Sequence, residues 1–312
     1  MRFPNFKTKA LTLSYDDGTV FDREMVSILN RYAIKCTFNL NSNLLNGSGR
    51  ISANEINDLY KGHEIAVHTY THPHLENLDS ANVAGEIIKD REFLETVSGN
   101  LVKGMAYPFG LADDSITEIV KACGIDYART TNSTLGFSLP HDFLKWNPTC
   151  HHSYQQIDTL IDKFLAEDDW EHPWRITAKV FYLWGHSYEF ENRFEILENI
   201  CKKLSHKDTV WYATNGEIYK YVKEYSRLEF SANGKTIYNP TATDLYAFTI
   251  NKNILISAGK MIKIEGNYYE QSCNFRRVNV KARPQRILQV FSKRSMPSNL
   301  RRRRSQCCGF PC

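Results

Sequence analysis

Two histidines four residues apart, His68 and His72, and two adjacent carboxylates, Asp16 and Asp17, are the residues whose types and spacing best suit chemistry. A four-residue separation on one helical turn puts both imidazoles on the same side, close enough to grip one ion. A carboxylate from another strand end completes a two-histidine, one-carboxylate set, which leaves positions open for water and substrate. Asp16 or Asp17 can supply it. Adjacent carboxylates repel, and a nearby cation removes the conflict. Neighbouring side chains point different ways, so one aspartate is expected to bind the ion and the other to face the attacking water as a base. His186, which follows Gly185, is the candidate acid that protonates a leaving amine. Tyr107-Pro108-Phe109-Gly110 has no group suited to proton transfer. Its expected part is a rigid turn that aims a backbone N–H at a developing oxyanion.

Each pattern alone also has a plain structural reading. Asp-Asp-Gly is a common turn, and single histidines are often hydrogen-bonded core residues. His63, His74, His151 and His152 are read in that way. The functional reading rests on position: every cluster follows a predicted strand. The strands expected are Ala10–Tyr15, Cys36–Leu40, Glu64–Val67, Val102–Tyr107, Tyr127–Thr131, Phe143–Trp146, Ala178–Trp184 and Thr209–Ala213, each an apolar run bounded by polar loops. Helical patterns alternate with them, at Phe21–Tyr32, Ala53–Leu59, Ala81–Val97, Asp114–Cys123, Tyr154–Glu167, Asn192–Leu204 and Gly216–Tyr225. Alternation of this kind predicts a parallel sheet with helices outside it, and the number of units suits a barrel. In such a barrel the C-terminal strand ends share one rim, where active sites form. Aromatic residues crowd the same rim: Tyr15, Tyr70, Tyr107, Phe109, Trp146, Trp184 and Tyr188. Tyr107, Trp146 and Trp184 are the expected faces for a sugar ring.

The expected organisation is a barrel over 1–226, a small β-module over 227–265 and a basic tail over 266–312. The tail is read as disordered, with a basic interaction arm as the other reading. Of the chain's 39 Lys+Arg residues, 11 lie between Arg276 and Cys312, where there is no Asp or Glu. That leaves 28 basic against 35 acidic residues elsewhere, a net of −7, which offers no nucleic-acid surface. A nucleic-acid partner would depend on the tail alone. No apolar run is long enough to span a bilayer, and no apolar signal core precedes Lys9. Cys36, Cys123, Cys150 and Cys201 stand singly, as reduced thiols of an intracellular protein do. The expected place of work is therefore the cytoplasm, with no membrane partner.

Ser14-Tyr15-Asp16-Asp17-Gly18, His68-Thr69-Tyr70-Thr71-His72, Tyr107-Pro108-Phe109-Gly110 and Leu183-Trp184-Gly185-His186 resemble, in order, the motifs of the polysaccharide deacetylases. This is the NodB-homology group, carbohydrate esterase family 4, and the resemblance runs from about Lys9 to Tyr225. It implies a distorted (β/α) barrel and one divalent ion of the zinc type, Zn2+. By the same resemblance Asp16 is the base, Asp17, His68 and His72 are metal ligands, and His186 is the acid. The Phe109 amide resembles the oxyanion donor. The family's third motif carries an arginine two residues before its proline, and here that place is Ala106. Arg129, at the end of the next strand, is the expected substitute for orienting Asp16, and Trp146 stands in for the tryptophan of the fourth motif. The expected function is metal-dependent removal of an acetyl group from an N- or O-acetylated saccharide. The alternatives are hydrolysis of another C–N bond, in a cyclic amide or formamide, and a silent carbohydrate-binding relative.

Overall fold

The computed structural model describes residues 1–172, 175–249 and 252–264. The expected basic tail lies outside these residues. All eight residues of β1 (Lys9–Asp16) are buried, as expected of a central parallel strand covered on both faces. Its neighbours are β2 (Cys36–Leu40) on one side and β7 (Lys179–His186) on the other, both parallel. The sheet continues outward through β3 (Glu64–Val67), β4 (Gly104–Ala106) and β5 (Tyr127–Arg129) on the β2 side, and β6 (Cys150–His151) lies beyond β7. β8 (Val210–Tyr212) pairs with the start of β1, at Lys9–Leu11.

The sheet curls until its two edges meet. Trp146 bridges in parallel to Arg129 of β5, and four residues later the same segment becomes β6. Trp146 N–H donates to Ala128 O at 2.9 Å, and Thr130 N–H donates to Trp146 O at 3.1 Å. This is a distorted (β/α) barrel. Helices α1 (Asp22–Arg31), α2 (Ile56–Leu59), α3 (Ser80–Ser98), α4 (Asp114–Ala122), α5 (Ile157–Leu165), α6 (Glu195–Leu204) and α7 (Asn215–Tyr225) follow in chain order. The apolar stripes of α1 (Met25, Val26, Ile28, Leu29) and α6 (Leu197, Ile200, Cys201, Leu204) are buried in one core with Leu11, Leu13 and Phe38. Each such side chain contributes roughly 1.5–3 kcal/mol through burial.

Two sequence expectations are corrected. The run Phe143–Trp146 is not a strand: Phe143–Lys145 forms a 3₁₀ turn capped by the Asp142 side chain, and the sixth strand is the two-residue Cys150–His151. Pro148, which has no N–H to give a ladder, lies between them. Residues 68–72 are not helical either. Thr69 and His72 adopt positive φ of 68° and 59°, and this loop geometry replaces the expected helical turn.

After α7 the chain forms β9 (Glu229–Phe230), β10 (Thr236–Tyr238), the hairpin β11 (Leu245–Thr249) with β12 (Lys252–Ile256), and β13 (Met261–Lys263). β12 and β13 are separated by a turn in which Lys260 N–H donates to Ser257 O. Leu245, Ala247, Ile254 and Ile256 share a core with Phe3, Ala10 and Tyr221. Cys36, Cys123, Cys150 and Cys201 are buried and unpaired with one another. Among the described residues no helix is long and apolar enough to cross a membrane.

Candidate metal and acid–base site

The end of β1 places two carboxylates on different paths. Asp16, the last strand residue, is buried. Asp17 turns away at φ 81°, a region costly to residues with a side chain. Asp17 Oδ1 lies 3.8 Å from His68 Nε2 and 3.9 Å from His72 Nε2. All three atoms lie within 4.8 Å of one another. The two separations to Asp17 Oδ1 are too long for hydrogen bonds. Two ligands on one tetrahedral zinc ion lie about 3.3 Å apart, so a small inward shift of these side chains would let them share one. His68 Nδ1–H donates to Ala106 O at 2.8 Å, which leaves the Nε2 lone pair for an ion. Burial, then the neighbouring His68, holds His72 below its ordinary value against the pull of Asp17 and Asp16, so it stays neutral and able to ligate. Two imidazoles and one carboxylate form a donor set that fits a zinc-class ion.

Asp16 is held by a different set. Arg129 Nη2 donates to Asp16 Oδ2, and Asn39 Nδ2 donates to Asp16 Oδ1 at 2.8 Å. Arg129 is fully buried, and its guanidinium lies 4.4 Å from the centre of the Trp184 ring. Burial would raise the Asp16 pKa. The charges of Arg129, His68 and His186 outweigh it and hold the group below the usual carboxylate range. Asp16 is therefore ionised and rigid, with His68 Nε2 3.9 Å from its Oδ2. The guanidinium comes from β5, whereas the family's arginine would stand at Ala106 on the neighbouring β4.

Across the rim, β7 ends with His186 in register with Asp16. Glu189 folds back onto it: Oε2 accepts from His186 N–H at 2.9 Å and lies 3.3 Å from His186 Nδ1. Burial disfavours the imidazolium, but Glu189, then Asp16 and Asp17, outweigh it and raise the His186 pKa. The same Oε2 lies 3.1 Å from His151 Nε2 and 3.5 Å from His152 Nε2. Both histidines arrive at the end of β6, beside Gly185 of β7. A Cβ on Gly185 would stand 2.1 Å from His152 Nδ1, so only glycine fits there.

The third motif forms a tight turn, with Phe109 at φ 57°. Its ring is 48% exposed and stacks on His74 at 3.7 Å. Gly110 has φ +74°, and a Cβ there would meet Thr131 Oγ1 at 2.0 Å. Tyr107 and Trp146 do not face the rim. Tyr107 is 1% exposed and donates its hydroxyl to Leu144 O, and Trp146 is 2% exposed against Tyr182 and Phe143. The expectation that they stack on a sugar does not fit this burial, because the Tyr107 hydroxyl is tied to Leu144 O and the Trp146 ring is enclosed by Tyr127, Phe143 and Tyr182. Trp184 is half-buried and lies over Arg129. The open aromatic surfaces at the rim are Phe109 and Tyr188, the latter 42% exposed.

Four supporting residues escaped the sequence reading. Asn39 is the register partner of Asp16 on β2. Asp90, on the buried face of α3, accepts from the backbone N–H of His68 at 3.0 Å and of Ser42 at 2.7 Å. Arg50 reaches the Asp17 carbonyl and lies 3.6 Å from its carboxylate. Glu189 is the fourth. A carboxylate among apolar helix positions, as at Asp90, is a signal that could have been used.

Residues 4–128 match the family model described as Polysaccharide deacetylase. Chitin deacetylase 1 of Cryptococcus neoformans is 28% identical over 166 residues, covering 50% of this chain and 34% of that protein. The peptidoglycan-N-acetylglucosamine deacetylase of Bacillus cereus is 25% identical over 177 residues, covering 50% of this chain and 62% of its own length. The chain thus spans between a third and two thirds of the length of these relatives. A candidate polysaccharide deacetylase from Mycobacterium smegmatis has the same fold, with a TM-score of 0.55 at 16% identity, covering 72% of this chain and 94% of that one. With four motifs in family order on this barrel, the chain is similar to the polysaccharide deacetylases, and its residues 4–128 match their family model.

Proposed function

We propose that the chain is a metal-dependent deacetylase of an acetylated saccharide, with Asp17, His68 and His72 holding one zinc-class ion and Asp16 as the base. The observation that carries this reading is the division of labour at the end of β1. Asp17 faces two histidines within reach of one shared ion, and Asp16 is fixed by Arg129 and Asn39. The ion, when bound, would polarise the acetyl carbonyl and acidify water. Asp16, kept ionised by Arg129, takes a proton from the attacking water. The Phe109 N–H donates to the oxyanion, and its strained turn fixes that donor in place. His186, kept protonated by Glu189, gives its proton to the leaving nitrogen as the C–N bond breaks. The products are the free amine and acetate. Trp184 holds Arg129 against Asp16, and Phe109 and Tyr188 offer the apolar faces for a sugar ring.

Residues 1–226 would carry this chemistry, and 227–265 would close the opposite side of the barrel. The four buried free thiols support a reducing compartment as the place of work.

Acetate release from acetylated chitooligosaccharides by the zinc-loaded protein tests the proposal. Release that stops with chelation and returns with zinc is the expected result. Zinc binding without acetate release would overturn it, and formate release or ring opening of a cyclic amide would redirect it to another C–N bond.

A further inference from the structure

Glu189 Oε2 is the meeting point of three imidazoles, from His151, His152 and His186. The donor atoms of His151, His152 and Glu189 all lie within 4.8 Å of one another, as those of Asp17, His68 and His72 do. Each trio has one buried histidine flanked by two half-buried residues, so an ion can enter from solvent. The His152 ring is clamped between Tyr15 and Phe190, at centroid distances of 5.7 and 4.1 Å, and its Nε2 is directed at Glu189. His151 Nδ1 accepts from the Ser153 backbone N–H at 3.2 Å, so the ring proton sits on Nε2 toward Glu189, and an entering ion would displace it.

We infer that His151, His152 and Glu189 form a second divalent-metal site of the zinc class, whose occupation takes Glu189 from His186 and inhibits the reaction. The inhibitory part rests on the function proposed above; the binding part does not. This second site is the weaker one. Its 3.1 Å contact is closed around the His151 proton, and His152 Nδ1 has no hydrogen-bond partner among the described residues to hold its tautomer.

The test is zinc uptake by the metal-free full chain at fixed free zinc, compared with His151→Ala and Asp17→Asn. Wild type should bind one ion more than His151→Ala at high free zinc, while Asp17→Asn loses the tighter ion instead. Every other thiol and histidine is common to both proteins and cancels in the difference. Should His151→Ala fold poorly, His151→Gln serves in its place. Equal uptake by wild type and the His151 variant would overturn the site. In turnover, excess zinc should inhibit wild type, and half-inhibition should need about tenfold or more zinc in the variant. Unchanged sensitivity would overturn the inhibitory role. Absence of acetate release in every protein would instead count against the proposed function and leave the uptake comparison standing.

Discussion

Two histidine–carboxylate trios share this barrel rim, and they differ in how open they are. Around Asp17 the ligand atoms stand 3.8 and 3.9 Å apart, and the spare nitrogen of His68 is tied to a carbonyl. Around Glu189 the contacts have closed to 3.1–3.5 Å, and the carboxylate also serves His186. A donor set with no hydrogen bonds among its ligand atoms loses little on binding an ion. A closed set must first give up its own hydrogen bonds. The comparison teaches that donor type alone does not rank metal sites; the hydrogen bonds a donor must give up and the tie on the second nitrogen do. The positive φ values of Asp17, Thr69, His72 and Phe109 all fall on the open side. Backbone strain of order 1–3 kcal/mol per residue persists there because the surrounding structure holds it.

The largest way to break the comparison is to empty the open trio. His68→Ala should remove the tight ion and reduce turnover to background, measured as zinc content and acetate release. The same change in His151 should leave that ion in place. A second break is Arg129→Met, which leaves Asp16 buried without its cation. Loss of a buried partner costs about 3–5 kcal/mol of stability, readable in denaturant unfolding. Arg129 lowers the Asp16 pKa, so the acid limb of the kcat/KM profile should move to higher pH in that variant or in the milder Arg129→Lys.

A third change sharpens the role of the closed trio. Glu189→Gln keeps His186 but removes the charge that raises its pKa. The alkaline limb, which reports loss of the His186 proton, should move to lower pH. The fall in turnover should be smaller than the roughly hundredfold or greater loss that follows removal of a general acid. The smallest expected effect belongs to Tyr188→Ala, which removes an exposed ring beside His186, at 5.0 Å between centroids. It should raise KM and leave kcat near its starting value.

Much of this arrangement was legible in the residues, and the gaps have physical reasons. β2 and β3 are bounded in the sequence as in the structure, because short apolar runs between polar loops leave few choices. β6 was not legible: a two-residue strand after Pro148 has no period to detect. His151 and His152 therefore read as isolated histidines, though their strand end places them on the rim. Tyr107 and Trp146 were misplaced for the opposite reason. Motif neighbours share a strand end, but the turns that follow β4 and precede β6 carry both rings into the core. The positive φ of Thr69 and His72 is a tertiary result that no helical spacing rule contains. Arg129 reaches Asp16 from the edge strand β5 only because the sheet curls, and curling is written in packing rather than in any local segment.

The central claim is that Asp16 is a base and not a ligand. Zinc content and acetate release measured together on Asp16→Asn test it most directly. The account predicts that the variant keeps its tight zinc ion while turnover falls by about a hundredfold or more. Zinc lost along with activity would make Asp16 a ligand, and turnover close to that of the unaltered chain would contradict its role as the base.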